Sequence, residues 1–335
     1  MIRRYVILGS AAAAAALASC SGGGSSSPTP TPTASGSATP TPTPTATYTA
    51  FPLTAAAEFS TLDATTNYTG DPTAGAVTLG VTATETFSSR VKLAATTDLT
   101  NGTFVMDEAT EESRFVGTNV TATAAPTVTE FVYRSVSTAT GAAAGNFSQL
   151  EVLNNIGAAT VTTSDSLLKQ LTVLSYANWW RGDSTTGQKR LTYSIWGYPT
   201  LSYDMLTTGT ASYNARIVGR AISVANNATT IVRVGGTATV SVNFATGLVT
   251  TAMNLTTLPS GGTETAYATL NAQGAIPIGQ NQFSGSLVSG GPATGTIAGA
   301  FYGSKGVNLG IVFGASGTIN GADTRIVGEV VGVKQ

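Results

Sequence analysis

Residues 238–247 read ATVSVNFATG, and this stretch decides the fold class. Apolar residues from Ala238 to Phe244 alternate with polar ones, so an extended chain presents one apolar and one polar face. The next residues, Ala245–Gly247, are typical of a tight turn, and a second run of strand-forming residues, Leu248–Thr257, begins directly after them. The sequence therefore predicts a β-hairpin with one buried face at this point.

The same pattern recurs throughout the C-terminal part of the chain. We predict eight strands there, over Thr210–Gly219, Ala238–Ala245, Leu248–Thr257, Glu264–Leu270, Gln282–Val288, Thr294–Tyr302, Asn308–Phe313 and Arg325–Val333. Sequential strands of this kind pair as antiparallel neighbours, and closure into an up-and-down barrel removes the exposed sheet edges. A membrane porin is the competing barrel, but its strands need outward apolar faces of about 9–11 residues. The short, glycine-rich runs favour a soluble barrel.

Shorter strand-like runs occupy the region before the predicted barrel. Alternating segments include Ala76–Thr84, Thr86–Ala94 and Glu130–Val136, with Gly, Asn, Asp and Pro between them. One short helix is predicted over Ser164–Thr172, because Ser164 or Asp165 can cap it and its leucines share one face. We therefore predict an all-β protein, with a β-rich domain over residues 48–205 and an eight-stranded antiparallel up-and-down β-barrel over residues 206–335.

The N-terminus has the pattern of a secretory signal. Arg3 and Arg4 precede an apolar run, Val6–Ala18, which is too short to cross about 30 Å of hydrocarbon. The end of this run, Leu17, Ala18, Ser19 and Cys20, resembles the bacterial lipobox, in which the Cys is lipidated and becomes the first mature residue. The resemblance implies a signal peptide over residues 1–19 and a membrane anchor on Cys20. The alternative is an ordinary signal peptide with a chance Cys.

A low-complexity segment follows the predicted anchor. Residues 21–46 read SGGGSSSPTPTPTASGSATPTPTPTA and contain no charge and no large apolar side chain. Gly/Ser-rich chain is flexible and Pro-Thr repeats are extended, so we predict a disordered linker over residues 20–47 that holds the folded part away from the membrane. The likeness to lipoproteins also implies sorting to the outer membrane, because Ser21 and not Asp follows the Cys.

Composition excludes several classes of function. The 335 residues include no His and one Cys, which removes Ser-His and Cys-His nucleophiles, His bases and tetrahedral zinc sites. Charged residues make up 10% of the chain and the net charge is −1, which provides no basic surface for nucleic acid. We therefore expect a monomeric protein that is not an enzyme and has no cofactor, no metal site and no nucleic-acid partner.

Several segments resemble a known family of bacterial surface proteins. The hairpin at Ala238–Gly247, the F-x-G pattern at Phe283–Gly285 and the G-x-F-Y-G pattern at Gly299–Gly303 are similar to strands of transferrin-binding-protein-like lipoproteins. The segment Trp196–Thr200 resembles the entry to their barrel, although Asn308 stands where the family usually has Glu. The resemblance implies a β-rich handle before the barrel and display on the outer membrane. Members of this wider group capture iron carriers, haem proteins or host factors.

The three Trp residues are concentrated between positions 179 and 196, with Arg181 and Tyr198 close by. Trp, Tyr and Arg dominate binding hot spots, so the candidate ligand-binding residues are Trp179, Trp180, Arg181, Trp196 and Tyr198. The alternative is that these rings pack the handle against the barrel, because the segment lies at their junction and large aromatic side chains are usually buried.

Two further motifs each have a structural alternative. Asp107, Glu108, Glu111 and Glu112 could offer oxygen ligands to calcium, but they lack the spacing of an EF-hand, and a solvated acidic turn is the alternative. Arg181-Gly182-Asp183 spells a cell-adhesion tripeptide, and a turn in which Asp183 bonds to the backbone accounts for it equally well.

The functions that remain belong to different classes. The first is an outer-membrane-anchored binding lipoprotein that faces the cell exterior and captures a protein or an iron- or haem-related ligand. Without His, haem would need Tyr coordination or aromatic stacking. The second is a structural or adhesive surface lipoprotein without small-ligand binding, which the low charge favours. A glycosidase that uses two carboxylates is a third class, supported by no other feature of the sequence.

Overall fold

The computed structural model describes residues 45–99, 102–108, 111–136, 146–158, 160–183, 186–258 and 263–335. The predicted signal peptide over residues 1–19, the lipobox residues Leu17, Ala18 and Ser19, the anchor Cys20 and most of the predicted linker lie outside these ranges. Within the ranges, no helix is long and apolar enough to cross a membrane.

The N-terminal half of the described chain forms one antiparallel sheet, the handle sheet. Its strands are β1 (Ala57–Thr69), β2 (Thr78–Leu79), β3 (Ala83–Ala95), β4 (Phe104–Glu108), β5 (Glu111–Phe115), β6 (Val120–Ala122), β7 (Glu130–Val136), β8 (Phe147–Leu153), β9 (Leu174–Gly182) and β10 (Gln188–Gly197). Their order is β5-β4-β3-β1-β10-β9-β8-β7-β6, and β2 pairs separately with β1. The centre of the sheet therefore joins the first long strand of the chain to the last two of this half.

The C-terminal half forms a closed barrel of eight antiparallel strands. They are β11 (Thr210–Ala225), β12 (Ala228–Asn243), β13 (Leu248–Thr257), β14 (Thr265–Ala275), β15 (Gln282–Leu287), β16 (Ala293–Tyr302), β17 (Asn308–Ile319) and β18 (Ala322–Lys334). Closure is visible at Ala215 of β11, which lies opposite Ala238 in β12 and opposite Gly332 in β18. The predicted all-β class and up-and-down barrel are confirmed.

Apolar side chains fill the interior of the barrel. Val240 and Val242 point inward from β12 and are buried, as the alternation in the sequence predicts. Phe301 lies at the centre of an aromatic group, and the centroid of its ring is 5.7 Å from the centroids of both Phe244 and Phe283. The interior is therefore a packed core built from the barrel's own side chains.

Close contact between strands explains two of the sequence motifs. Phe283 and Gly299 lie opposite each other on β15 and β16. A Cβ atom at position 299 would lie 2.1 Å from the Phe283 ring, so the ring covers backbone that only Gly leaves free. A Cβ atom at Gly285 would similarly lie 1.9 Å from the carbonyl oxygen of Gln273. The Gly residues of the F-x-G and G-x-F-Y-G patterns are therefore needed for close packing between neighbouring barrel strands.

The handle sheet and the barrel share a hydrophobic core, and residues 45–335 form one compact unit. Buried residues from both parts contribute, including Leu62, Tyr176, Tyr193 and Ile195 of the sheet and Val218, Ile222, Val312 and Val327 of the barrel. The opposite face of the sheet has a core of its own, which includes Phe59, Phe104, Tyr133, Trp179 and Trp196. The sheet is therefore covered on both faces.

The predicted helix over Ser164–Thr172 is wrong. Only Leu168–Gln170 forms a short 3₁₀ turn, preceded by Asp165, which accepts hydrogen bonds of 2.9 Å from the backbone N–H groups of Leu167 and Leu168. The predicted cap therefore exists, but a segment this short gains too few hydrogen bonds to offset the cost of helix nucleation. Leu168 and Leu171 are buried in the shared core instead.

Candidate functional site

The candidate aromatic residues lie on opposite faces of the handle sheet. Trp179 and Arg181 of β9 and Trp196 of β10 face away from the barrel, whereas Trp180 packs against the shared core. Trp179 and Trp196 have no solvent exposure, and Arg181 is 4% exposed. These three side chains are therefore part of the folded core, and their role in ligand binding stays a prediction. Packing of the sheet against the barrel involves only Trp180 of the three Trp.

Trp196 and Tyr198 hold the incoming N-terminal segment. The ring centroid of Trp196 lies 5.3 Å from that of Phe51 and 4.8 Å from that of Phe59. Tyr198, which is half-buried, contacts the same two rings at 5.7 and 5.6 Å. These four rings therefore pack residues 51–59 onto the end of β10.

Arg181 fixes the acidic β4–β5 hairpin against the sheet. Its guanidinium lies 3.5 Å from the centroid of the Trp179 ring, and its Nε donates a 2.8 Å hydrogen bond to Glu111. It also pairs with Glu108, while Arg190 pairs with Glu111. The predicted acidic cluster is therefore partly neutralised by arginines. In the described ranges, no group of three or more acidic or Cys side chains could hold a metal ion.

Charged side chains meet where the sheet contacts the barrel, and we call Glu130, Glu151, Arg220, Arg233 and Glu329 the junction network. All of them are buried except Arg233, which is partly exposed. Nη2 of Arg220 donates a 2.8 Å hydrogen bond to Oε1 of Glu151, and its guanidinium lies 4.4 Å from the centroid of Trp180. Arg233 pairs with Glu130, and the charge of Glu130 raises the pKa of Arg233. Each ion pair joins one barrel strand to one sheet strand and so helps to fix the position of the barrel relative to the sheet.

Glu329 is the exception within the junction network. Its side chain is fully buried, and neither carboxylate oxygen has a hydrogen-bond partner among the residues that the structure describes. Burial, and next the negative charge of Glu130, raise the pKa of Glu329 well above its usual range, although the neighbouring Asn178 amide opposes the shift. Folding therefore favours the protonated form of Glu329 over the charged form.

One edge of the junction opens into a cleft of about 760 Å³, the junction cleft. Apolar side chains from both parts line it, including Val132, Leu168, Ile217, Val218 and Leu258. Its charged side chains are Glu130, Asp165, Arg216, Arg233 and Glu264. Nη2 of Arg216 lies 3.4 Å from Oδ2 of Asp165, and both side chains are partly exposed. The cleft thus combines an apolar lining with two ion pairs at its opening.

A second groove, of about 640 Å³, lies beside the N-terminal segment. Its lining includes Phe51, Asn155, Gln170 and Leu171, with Lys169 as its charged side chain. Binding sites combine apolar surface with several convergent polar groups, and the junction cleft meets this description better. The junction cleft is therefore the candidate site.

The residues of the junction network and of the junction cleft were not predicted from the sequence. Glu329 lies in the run IVGEVVGV, where it is the one charge among apolar residues and Gly. Arg233 similarly interrupts the run IVRVGG. An isolated charge in an otherwise apolar strand is rarely buried without a partner. Both positions therefore indicate contact with a polar group from another part of the chain.

Comparison with known proteins supports a likeness in overall structure. No protein-family model matches the sequence, and no curated protein matches it significantly. The haemoglobin receptor HpuA from Kingella denitrificans is 13% identical, with 86% of this chain and 89% of that chain covered and a TM-score of 0.40. Transferrin binding protein B from serogroup B Neisseria meningitidis is 12% identical, with 82% and 44% covered and a TM-score of 0.40.

A third structure, a transferrin binding protein B mutant from Haemophilus parasuis, is 11% identical over 85% of this chain and 77% of that chain, with a TM-score of 0.35. The meningococcal protein is more than twice as long as the region that this chain matches. At these identities the likeness concerns the fold alone. In its handle sheet and eight-stranded barrel, the chain is structurally similar to transferrin binding protein B and to the haemoglobin receptor HpuA, as its strand motifs predict.

Proposed function

We propose that the protein is a lipid-anchored, non-enzymatic binding protein of the outer membrane that captures a protein ligand in the junction cleft. The observation that carries this proposal is that the open cavity lies at the junction of the sheet and the barrel and not inside the barrel. The barrel interior is filled by its own side chains, whereas the junction cleft is open and has both apolar and charged lining. A ligand that fits such a cleft presents apolar and charged side chains together, as a protein segment does.

The ion pairs at the opening of the cleft support recognition of a charged ligand. Arg216 and Asp165 are each partly exposed, and their 3.4 Å contact through Oδ2 is long, so another charged group can replace it. Glu264 is exposed nearby and adds a further acceptor. An incoming segment with opposite charges can therefore replace weak internal contacts with its own. Capture of an iron or haem carrier would then act through the carrier's protein surface.

The domain limits belong to the same proposal. The signal peptide occupies residues 1–19, the lipidated Cys20 and its linker residues 20–47, the handle residues 48–205 and the barrel residues 206–335. Lipidation of Cys20 holds the protein at the outer membrane, and the linker lets the junction cleft reach ligands outside the cell.

The test uses intact cells that carry the full-length protein. Human haemoglobin, which the Kingella receptor binds in its own crystal structure, and transferrin are the first soluble probes, followed by a panel of host plasma proteins. We expect the double variant R216A/E264A to bind the captured probe at least about tenfold more weakly, because each charged contact contributes about 1.5–3 kcal/mol. R114A is the matched control, since Arg114 lies on β5 at the far edge of the sheet and is exposed.

Three results would contradict the proposal. Equal binding by R216A/E264A and the unaltered protein would remove the junction cleft as the site. Binding of no probe on cells whose protein is cleaved by external protease would favour a structural or adhesive surface role. Resistance to external protease on intact cells would contradict display on the cell exterior.

A further inference from the structure

Exposed apolar side chains are concentrated at one end of the barrel. Of the nine large apolar side chains that are exposed within the described ranges, five lie here: Leu201, Tyr203, Leu248, Ile278 and Val307. They lie in or directly beside the β12–β13, β14–β15 and β16–β17 loops and the connection from the handle sheet. The up-and-down topology brings all of these to the same end. We call this surface the apolar barrel end.

Hydrogen bonds join the segments of the apolar barrel end in pairs. The backbone N–H of Ile276 donates to the carbonyl of Gly247 at 2.8 Å, which joins two neighbouring loops. The backbone N–H of Lys305 donates to Oδ2 of Asp204 at 3.0 Å, which joins a third loop to the connection from the sheet. Ile278, at full exposure, therefore projects from a supported framework.

The chain enters the folded unit at the same end. The Tyr48 hydroxyl donates a 2.9 Å hydrogen bond to Oδ2 of Asp204 and accepts one of 2.9 Å from the backbone N–H of Leu201. Residues 21–47 separate Tyr48 from Cys20. If Cys20 carries the proposed lipid anchor, the covalent link to the membrane therefore arrives beside the apolar barrel end.

We propose that the apolar barrel end docks on the surface of the lipid bilayer, with Ile278 and Leu248 inserted among the lipid chains. This inference depends on the lipid anchor in the proposed function. Tyr203 suits the level of the lipid headgroups, where amphipathic rings are favoured, and Lys305 and Lys334 lie at the same end, within reach of phosphate groups. An anchored protein stays at high local concentration near the bilayer, so a few apolar side chains are enough to hold it there.

Exposed apolar patches also serve as protein interfaces, and the point of chain entry decides between the two partners. A ligand captured from outside the cell approaches from the solvent side, whereas the anchor approaches the apolar barrel end. The junction cleft lies elsewhere, between β7 and strands β11 and β12, and stays open when this end is occupied. Docking on lipid would therefore orient the cleft without covering it.

The test measures contact with lipid by tryptophan fluorescence in the full-length lipidated protein, reconstituted in vesicles of phosphatidylethanolamine and phosphatidylglycerol. Brominated lipid chains quench tryptophans that enter the bilayer. Ile278→Trp and, as a second probe, Leu248→Trp place the fluorophore at the apolar barrel end. Val81→Trp is the matched control, because Val81 is 77% exposed but lies on the handle segment that contacts the opposite end of the barrel through Gly80 and Arg325.

We expect brominated lipid to quench the added fluorescence of the first two variants by at least about half, and to leave that of Val81→Trp unchanged. Protein that sediments with the vesicles but shows equal fluorescence with and without brominated lipid would overturn the docking and leave the anchor intact. Protein that stays in the supernatant would overturn both. Protection of position 278 by a soluble host protein, without quenching by lipid, would identify the apolar barrel end as a protein interface instead.

Discussion

Arg220 of the barrel donates a 2.8 Å hydrogen bond to Glu151 of the handle sheet, and both side chains are almost completely buried. We predict that Arg220→Ala destabilises the protein by about 3–5 kcal/mol, because it leaves the Glu151 carboxylate buried without its cation. Chemical denaturation followed by circular dichroism measures this change. The double variant R220M/E151M should recover much of the loss, since it removes both charges.

The control for this prediction is the exposed pair of Arg114 and Glu112, in which the two side chains are 64% and 44% exposed. Arg114→Ala should change the free energy of unfolding by no more than about 1 kcal/mol, because solvent screens such pairs. Equal effects of Arg220→Ala and Arg114→Ala would contradict the importance of the buried pair.

Glu329 gives the protein a predicted pH dependence. Its pKa is raised in the folded state, so folding favours the protonated form, and the associated stability is complete below the ordinary value of 4.5 and declines as pH rises above it. Glu329→Gln should therefore be more stable than the unaltered protein at pH 8, and the two should converge near pH 4. Thermal unfolding between these pH values measures the difference. A constant difference across the range would show that Glu329 does not titrate differently on folding.

Trp179 tests the structural role of the buried aromatic residues. Trp179→Ala should destabilise the protein by about 3–5 kcal/mol, because it removes a fully buried ring and leaves a cavity behind. Tyr203→Ala, at a side chain that is 55% exposed, should change stability by about 0.5 kcal/mol or less. Denaturation curves for both variants, with ligand binding measured beside them, separate loss of packing from loss of a contact.

Gly299 tests the packing of the barrel wall. Gly299→Ala should destabilise the protein by about 1–3 kcal/mol, because the new Cβ would overlap the ring of Phe283. Gly291→Ala is the control, since a Cβ there meets nothing closer than 3.8 Å. If both variants unfold at the same denaturant concentration, the ring of Phe283 must be able to move aside.

The barrel was predictable from sequence where its strands contact only barrel neighbours. Strand β13 has the predicted bounds, Leu248–Thr257, because its alternation is uninterrupted. Strand β12 begins at Ala228 and not at the predicted Ala238, because Arg233, Gly235 and Gly236 break the pattern in its first half. These residues line the junction cleft, and the reason for them is visible only with the handle sheet in place.

The handle sheet was harder to predict for a related reason. Strand β1 reads AEFSTLDATTNYT, and its pattern is obscured by Asp63. In the fold Asp63 is buried and accepts hydrogen bonds from Thr61 and from Ser194 of β10. The adjacent Trp179 and Trp180 show a more general limit of sequence-based site prediction. Neighbouring residues in a strand face opposite ways, so closeness in sequence does not place them on one surface.

The contacts of Tyr48 give the molecule a mechanical property. A force applied to the chain on the N-terminal side of Thr45 acts first on the hydrogen bonds of Tyr48 with Asp204 and Leu201. These bonds must break before the force acts on β1. Behind them, the backbone of Phe51 is bonded to Thr172 at 2.7 Å, and its ring is wedged between Trp196 and Tyr198. Such a force is therefore carried into the loops at the barrel end before it reaches the strands of the handle sheet.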